Sequence, residues 1–157
     1  MANTENTENT EKAANTAGAA AEAAGAVLGD VLLFHNTMRV LDGHLAEFRA
    51  AIERAVAFVQ GRGPQLMVEV FIDEPRMLAH SFQLYADSDA VRAHWRMSDP
   101  YIRGVMEHCE IHDFTVYGDP DPGLREALAE QGLPIVPRFT GFLRHSPGAS
   151  PQGRSEG

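Results

Sequence analysis

The apolar positions of this chain change period in a definite order. Val31–Val40 (VLLFHNTMRV) is short and rich in branched and aromatic residues, the pattern of a β-strand. Leu45, Phe48, Ile52, Val56 and Val59 then recur at three- and four-residue steps, which predicts a helix capped by Asp42 and running to Gly61. Gly61-Arg62-Gly63-Pro64 breaks it. Leu66, Val68, Val70 and Ile72 alternate with Met67, Glu69 and Phe71 as a second strand. The turn Asp73-Glu74-Pro75-Arg76 leads to a third over Met77–Ala86, so the two form a hairpin. Asp87-Ser88-Asp89 opens a second helix carrying Val91 and Trp95. Ser98-Asp99-Pro100 restarts it, because proline is tolerated in a first helical turn, and Tyr101, Val105 and Met106 continue it. Ile111–Tyr117 is a fourth strand. After Gly118-Asp119-Pro120-Asp121-Pro122 come a short helix, Leu124–Gln131, and a strand-like stretch, Ile135–Leu143.

The order βαββαβ is the split-βαβ, ferredoxin-like arrangement of an α+β domain, here with a C-terminal αβ extension. Two helices cover one face of such a sheet and leave the other open. With Leu32, Phe34 and Asn36 turned toward the helices, the open face is expected to carry His35, Thr37, Met67, Glu69, Phe71, Gln83 and Tyr85. A mixed apolar face of that extent is rarely left to water, so a symmetric homodimer is expected to cover it.

The ends read differently. Residues 1–29 repeat Thr-Glu-Asn and then run in Ala and Gly without an aromatic residue, too little apolar surface to offset ordering, so a disordered tail is expected. Residues 146–157 are Ser-, Pro- and Gly-rich and read the same way. The folded unit is then 30–145, with 118–145 as its extension. The 157 residues carry a formal charge of −9, which repels phosphate backbones and anionic lipid, so neither nucleic acid nor a membrane surface is expected as a partner. The single cysteine, Cys109, excludes an intramolecular disulfide and the multi-cysteine zinc frameworks. No run approaches the roughly 20 apolar residues of a membrane span, and the polar, acidic start is no secretory signal, so a cytoplasmic protein is the default.

The segment Tyr85-Ala86-Asp87-Ser88-Asp89-Ala90, followed by Ala93-His94-Trp95-Arg96-Met97-Ser98-Asp99-Pro100-Tyr101, resembles the most characteristic stretch of antibiotic biosynthesis monooxygenase (ABM) domains. Asp42-Gly43-His44-Leu45-Ala46-Glu47-Phe48 is similar to that family's turn and Glu-Phe helix start, and Thr140-Gly141-Phe142-Leu143-Arg144 to a tail of some members. The resemblance covers roughly residues 30–117. It implies a dimeric α+β barrel with a pocket between helices and sheet in each subunit. It also implies oxygenation of quinols, phenols or aromatic polyketides without metal or flavin, although cyclases and proteins without a known reaction share the fold. Haem-degrading relatives use an Asn on the first strand and a Trp and His on the second helix. Asn36 and Trp95 match the first two, but Val105 stands where that His is expected, which argues against haem degradation. The more usual family His, three residues before the Ser, is Trp95 here, with His94 one residue early.

Cofactor-free oxygenation requires an electron-rich substrate held as its anion, which passes an electron directly to O₂. The protein must supply a base, a donor for the developing oxyanion and a dry pocket. Asn36 interrupts an apolar strand face and either donates its amide to a phenolate or quinone oxygen or satisfies backbone groups at an edge. Trp95 is either a pocket wall stacking on a flat ligand or simply buried core. His80 shares strand parity with Phe82 and Leu84, hence the helix side, and is the base or a satisfied core histidine. Phe34, Phe82, Tyr101 and Met106 are expected to line any pocket, and His94 to bind substrate or project to solvent beside Trp95. In His108-Cys109-Glu110-Ile111-His112 a strand beginning near Ile111 separates the two imidazoles, so no metal site is expected; Cys109 has no basic neighbour to activate it. The sequence therefore predicts a cofactor-independent monooxygenase of an aromatic small molecule and O₂, with catalytic Asn36, His80 and Trp95. The alternative is a dimeric binding or assembly module, or a polyketide cyclase, on the same fold. A cavity lined by Asn36, His80 and Trp95 distinguishes the enzyme from a module with a packed interior.

Overall fold

The computed structural model describes residues 31–97 and 99–143. Both expected tails, together with Asp30, Arg144 and His145, lie outside the described residues. The chain runs β1 (Leu32–Val40), α1 (Leu45–Arg62), β2 (Gln65–Asp73), a 3-10 turn (Glu74–Arg76), β3 (Leu78–Tyr85), α2 (Ser88–Met97), α3 (Asp99–Met106), β4 (Cys109–Tyr117), α4 (Pro122–Glu130) and β5 (Ile135–Val136). The sheet order is β2-β3-β1-β4-β5. The first four strands pair antiparallel, and β5 joins β4 in parallel through Val116↔Ile135 and Tyr117↔Val136. This is the expected ferredoxin-like α+β fold with its αβ extension. Among the described residues no helix is long and apolar enough to cross a membrane.

Some boundaries move. Asp42 does not cap α1; His44 holds the N-cap position without a side-chain bond. Asp87 does act at the start of α2, accepting from Ala90 N at 2.8 Å. The expected last strand shortens to Ile135–Val136, and residues 137–143 run on without regular structure. Gly118 has φ +123°, and a Cβ there would come within 2.8 Å of Val31 O, so only glycine lets the chain leave β4 toward the extension. Arg92 of α2 then fastens that extension, donating to Asp121 Oδ2 at 2.9 Å and Oδ1 at 2.6 Å. Asp121 N donates to Ser88 Oγ, and Asp121 Oδ1 accepts from Leu124 N as the cap of α4.

Alternate residues of β1, from Leu32 to Val40, face the helices, as expected. The buried core against them falls into two clusters. One gathers Leu32, Phe34, Tyr85, Val91, Val116, Leu124 and Leu128; the other gathers Met38, Val40, Phe48, Ala51, Ala79, Val105 and Cys109. Asn36 stands on β1 between them.

The register corrects the parity of β3. Asn36 pairs with Ser81, Phe34 with Gln83 and Leu32 with Tyr85, so Ala79, Ser81, Gln83 and Tyr85 face the helices. His80, Phe82 and Leu84 face the opposite way, beside His35 and Thr37. The expected helix-side placement of His80 and Phe82, and the open-face placement of Gln83 and Tyr85, are therefore reversed. The reason is chemical: the more apolar stripe of this strand covers the open face, and the more polar stripe looks inward.

Candidate active site

The two core clusters are separated by a cavity of about 410 Å³ between the sheet and helices α1, α2 and α3. Its floor is strand side chains, Phe34, Asn36 and Met38 of β1, Val68 and Val70 of β2, Ser81 and Gln83 of β3. Ile52, Ala55, Val56 and Val59 form the α1 wall, one apolar stripe at helical spacing. His94, Trp95, Tyr101, Ile102 and Met106 close it from α2 and α3. The Tyr101 ring stacks on Phe58 of α1, with centroids 4.4 Å apart. Among the described residues that line it, none is Asp, Glu, Lys or Arg.

The polar groups are linked. Tyr85 Oη donates to Gln83 Oε1 at 2.7 Å, and Gln65 Nε2 donates to the same oxygen at 3.3 Å. Gln65 Nε2 also lies 2.8 Å from His94 Nδ1. With the amide donating, Nδ1 is the acceptor, so the His94 proton sits on Nε2. Burial holds His94 below the ordinary imidazole value and pushes the Tyr85 phenol up, so both are neutral near pH 7. Asn36 Oδ1 and Gln65 Oε1 are buried without a hydrogen-bond partner. An unpaired buried carbonyl costs about 1–3 kcal/mol.

Asn36, Phe34, His94, Trp95, Tyr101 and Met106 are thus brought together as the sequence suggested. His80 and Phe82 are not; they lie across the sheet, where His80 meets His35 and Thr37. The expected neighbours on α2 exchange places: His94 is buried, whereas Trp95 is 36% exposed at the cavity mouth. Gln65, Ser81, Gln83 and Tyr85 were not singled out from sequence. The signal for three of them was the alternation Ala79, Ser81, Gln83, Tyr85, a polar stripe on a central strand. His108 lies beside His44, Nδ1 to Nδ1 at 3.1 Å, and His112 is the residue passed over by a bulge in β4. Burial raises the Cys109 thiol to about 11, which keeps it protonated at neutral pH.

No family model matches the sequence, and neither does any curated protein sequence. Solved structures do match in shape. MupZ from Pseudomonas fluorescens superposes with a TM-score of 0.66 at 16% identity, over 76% of this chain and 99% of its own. That span is too long for the βαββαβ core alone. SnoaB, a cofactor-independent oxygenase from Streptomyces nogalater, matches with a TM-score of 0.51 at 17% identity, over 59% of this chain and 95% of its own. A conserved protein from Methanosarcina mazei Go1 gives 0.52 at 11%, over 57% and 92%. The chain therefore shares its ferredoxin-like fold with these solved structures. At these identities the likeness concerns the fold.

Proposed function

We propose that this chain is a monooxygenase that uses O₂ on an aromatic phenol or quinol without a bound cofactor. The observation that carries the reading is the uncharged cavity, open at one mouth, with an amide, an imidazole and an indole converging on it. A flat ring slides between the α1 stripe and the sheet, with Trp95 at its edge. Asn36 and the Nε2–H of His94 are the donors that steady the negative charge on the substrate oxygen, and apolar walls strengthen both bonds. The anion gives an electron to O₂, and the two radicals join at carbon. Where that carbon is a methylene, loss of water leaves a carbonyl, so one O₂ is consumed and no external reductant is needed. Pairing at Nδ1 with Gln65 makes His94 a donor, and no carboxylate among the described residues lines the cavity. The substrate hydroxyl therefore gives its proton to water before the ring is bound as its anion, which restricts the class to phenols and quinols of low pKa. Asn36 and Trp95 keep their roles in this reading; His80 lies too far round the sheet to serve as its base.

A second copy of the chain covers the open face in this proposal, where Phe71 is 57% exposed beside Phe82 and Met67, paired with Leu84, is 36% exposed. SnoaB's description as a cofactor-independent oxygenase supports the reading by analogy of fold. The test is oxygen uptake by chelator-treated protein with a panel of quinols and anthrones, with ligand binding followed by fluorescence of Trp95, the only tryptophan. Expected is uptake that survives chelator and falls at least tenfold in Asn36→Ala, about 1.4 kcal/mol of barrier. Binding without uptake across the panel would replace the oxygenase by a ligand-binding module.

A further inference from the structure

Three side chains converge on the sheet face away from the cavity. Thr37 of β1 pairs across to His80 of β3, and His35 lies two residues along β1 on the same face. His35 Nε2 is 3.3 Å from His80 Nδ1. Thr37 Oγ1 is 3.4 Å from the former and 3.3 Å from the latter. The three heteroatoms form a nearly equilateral triangle. Tetrahedral zinc with ligands at about 2.0–2.1 Å separates its donor atoms by about 3.3–3.4 Å. The triangle thus has the size of one face of a zinc coordination tetrahedron.

We propose that His35, His80 and Thr37 form a binding site for a divalent transition metal of the zinc class, with a water as the fourth ligand. Imidazole donors select this class over magnesium and calcium. The His35 ring is held parallel to Phe82, centroids 4.3 Å apart at 7°, which restricts the plane of its imidazole. Asp113 of β4 pairs with Thr37 on the same face, and its charge acts on His35. Burial and the neighbouring His80 favour neutral His35, the form that ligates. The donor set is two imidazoles and a hydroxyl; among the described residues no three His, Cys, Asp or Glu side chains group to hold a metal ion. An ion there ties β1 to β3 without touching the cavity, and the inference stands independently of the proposed reaction.

The test uses the full chain, stripped with chelator, titrated with zinc by calorimetry and with cobalt by visible absorption. Expected are one equivalent per chain, the intense d–d bands of four-coordinate cobalt, and a higher melting temperature with zinc. His35→Gln and His80→Gln, checked for folding by circular dichroism, should each weaken zinc at least tenfold, and Thr37→Val by less. His44→Gln, which breaks the other histidine pair, should change nothing. No saturable zinc binding by the folded wild type up to submillimolar metal would overturn the site. So would binding that persists in both glutamine variants or disappears in His44→Gln.

Discussion

Gln65 Nε2 lies 2.8 Å from His94 Nδ1, and this one contact decides which nitrogen of the cavity imidazole carries the proton. A donor at Nδ1 stabilises the neutral ring, on top of the burial that already lowers its proton affinity. Gln65→Leu keeps the volume and removes the donor. Without that hydrogen bond the neutral ring loses its support, so the His94 midpoint should rise. An NMR titration of the histidine ring protons reads this directly. An unchanged or lower midpoint would mean that Gln65 does not set the tautomer.

Asn36 should show a trade of stability against binding. Its Oδ1 is buried and unpaired on a central strand between two apolar clusters. Asn36→Val removes the orphaned carbonyl and supplies a side chain suited to a strand. Unfolding free energy by urea should rise by about 1 kcal/mol, while affinity for a phenolic ligand, followed through Trp95, should fall at least tenfold. Loss of stability with binding intact would mean that the amide serves the fold instead.

The attachment of the extension makes a separate prediction. The Arg92 guanidinium, with the Leu124 amide, holds the Asp121 carboxyl at about 2, below its ordinary 3.8. A depressed carboxyl stabilises the fold above its unfolded value and loses that contribution as pH falls through the folded one. Arg92→Ala should therefore lower the melting temperature at pH 7, and the gap to wild type should close as the pH approaches 2. Because the pair is exposed, 0.5 M salt should shrink the gap as well. A gap that does not change with pH would point to lost packing of the arginine stem.

Most of the fold was legible because its elements announce themselves locally. The stripe Leu45, Phe48, Ile52, Val56 and Val59 and the breaker at Gly63-Pro64 define α1 and its end whatever surrounds them. Asn36 was legible for the same reason, as a polar residue on an apolar strand face. Strand β3 was not. Both of its stripes contain large apolar residues, so alternation alone could not say which faced the helices, and the choice of Phe82 and Leu84 sent His80 inward. In the structure the inward stripe is Ala79, Ser81, Gln83 and Tyr85. The inward stripe lines a cavity instead of a close-packed core, which inverts the usual pattern and defeats reasoning from hydropathy. The exchange of His94 and Trp95 has a similar origin. Adjacent helix positions lie about 100° apart, and with a partner for the imidazole supplied by Gln65 from β2, burial of the histidine costs less than hydropathy suggests.

Two histidines make the stability of the chain depend on pH in one direction. Burial lowers the proton affinity of both His35 and His94 from the ordinary 6.5, and His80 adds to the effect on His35, partly opposed by Asp113. Below pH 6.5 the unfolded chain takes up protons that the folded chain still refuses, so unfolding is favoured as acid is added. Stability should be full above this value, decline between it and the folded midpoints, and level off below them. This window opens at 6.5, above the ordinary 3.8 at which that of Asp121 opens, so the histidine contribution begins to be lost first as acid is added. Urea midpoints measured from pH 7.5 to 5 should fall, and His94→Gln should flatten part of the slope because glutamine carries no titrating proton. Adding His35→Gln should flatten more of it. A midpoint that holds steady or rises on acidification would show that these imidazoles accept protons as readily in the folded chain as in the unfolded one.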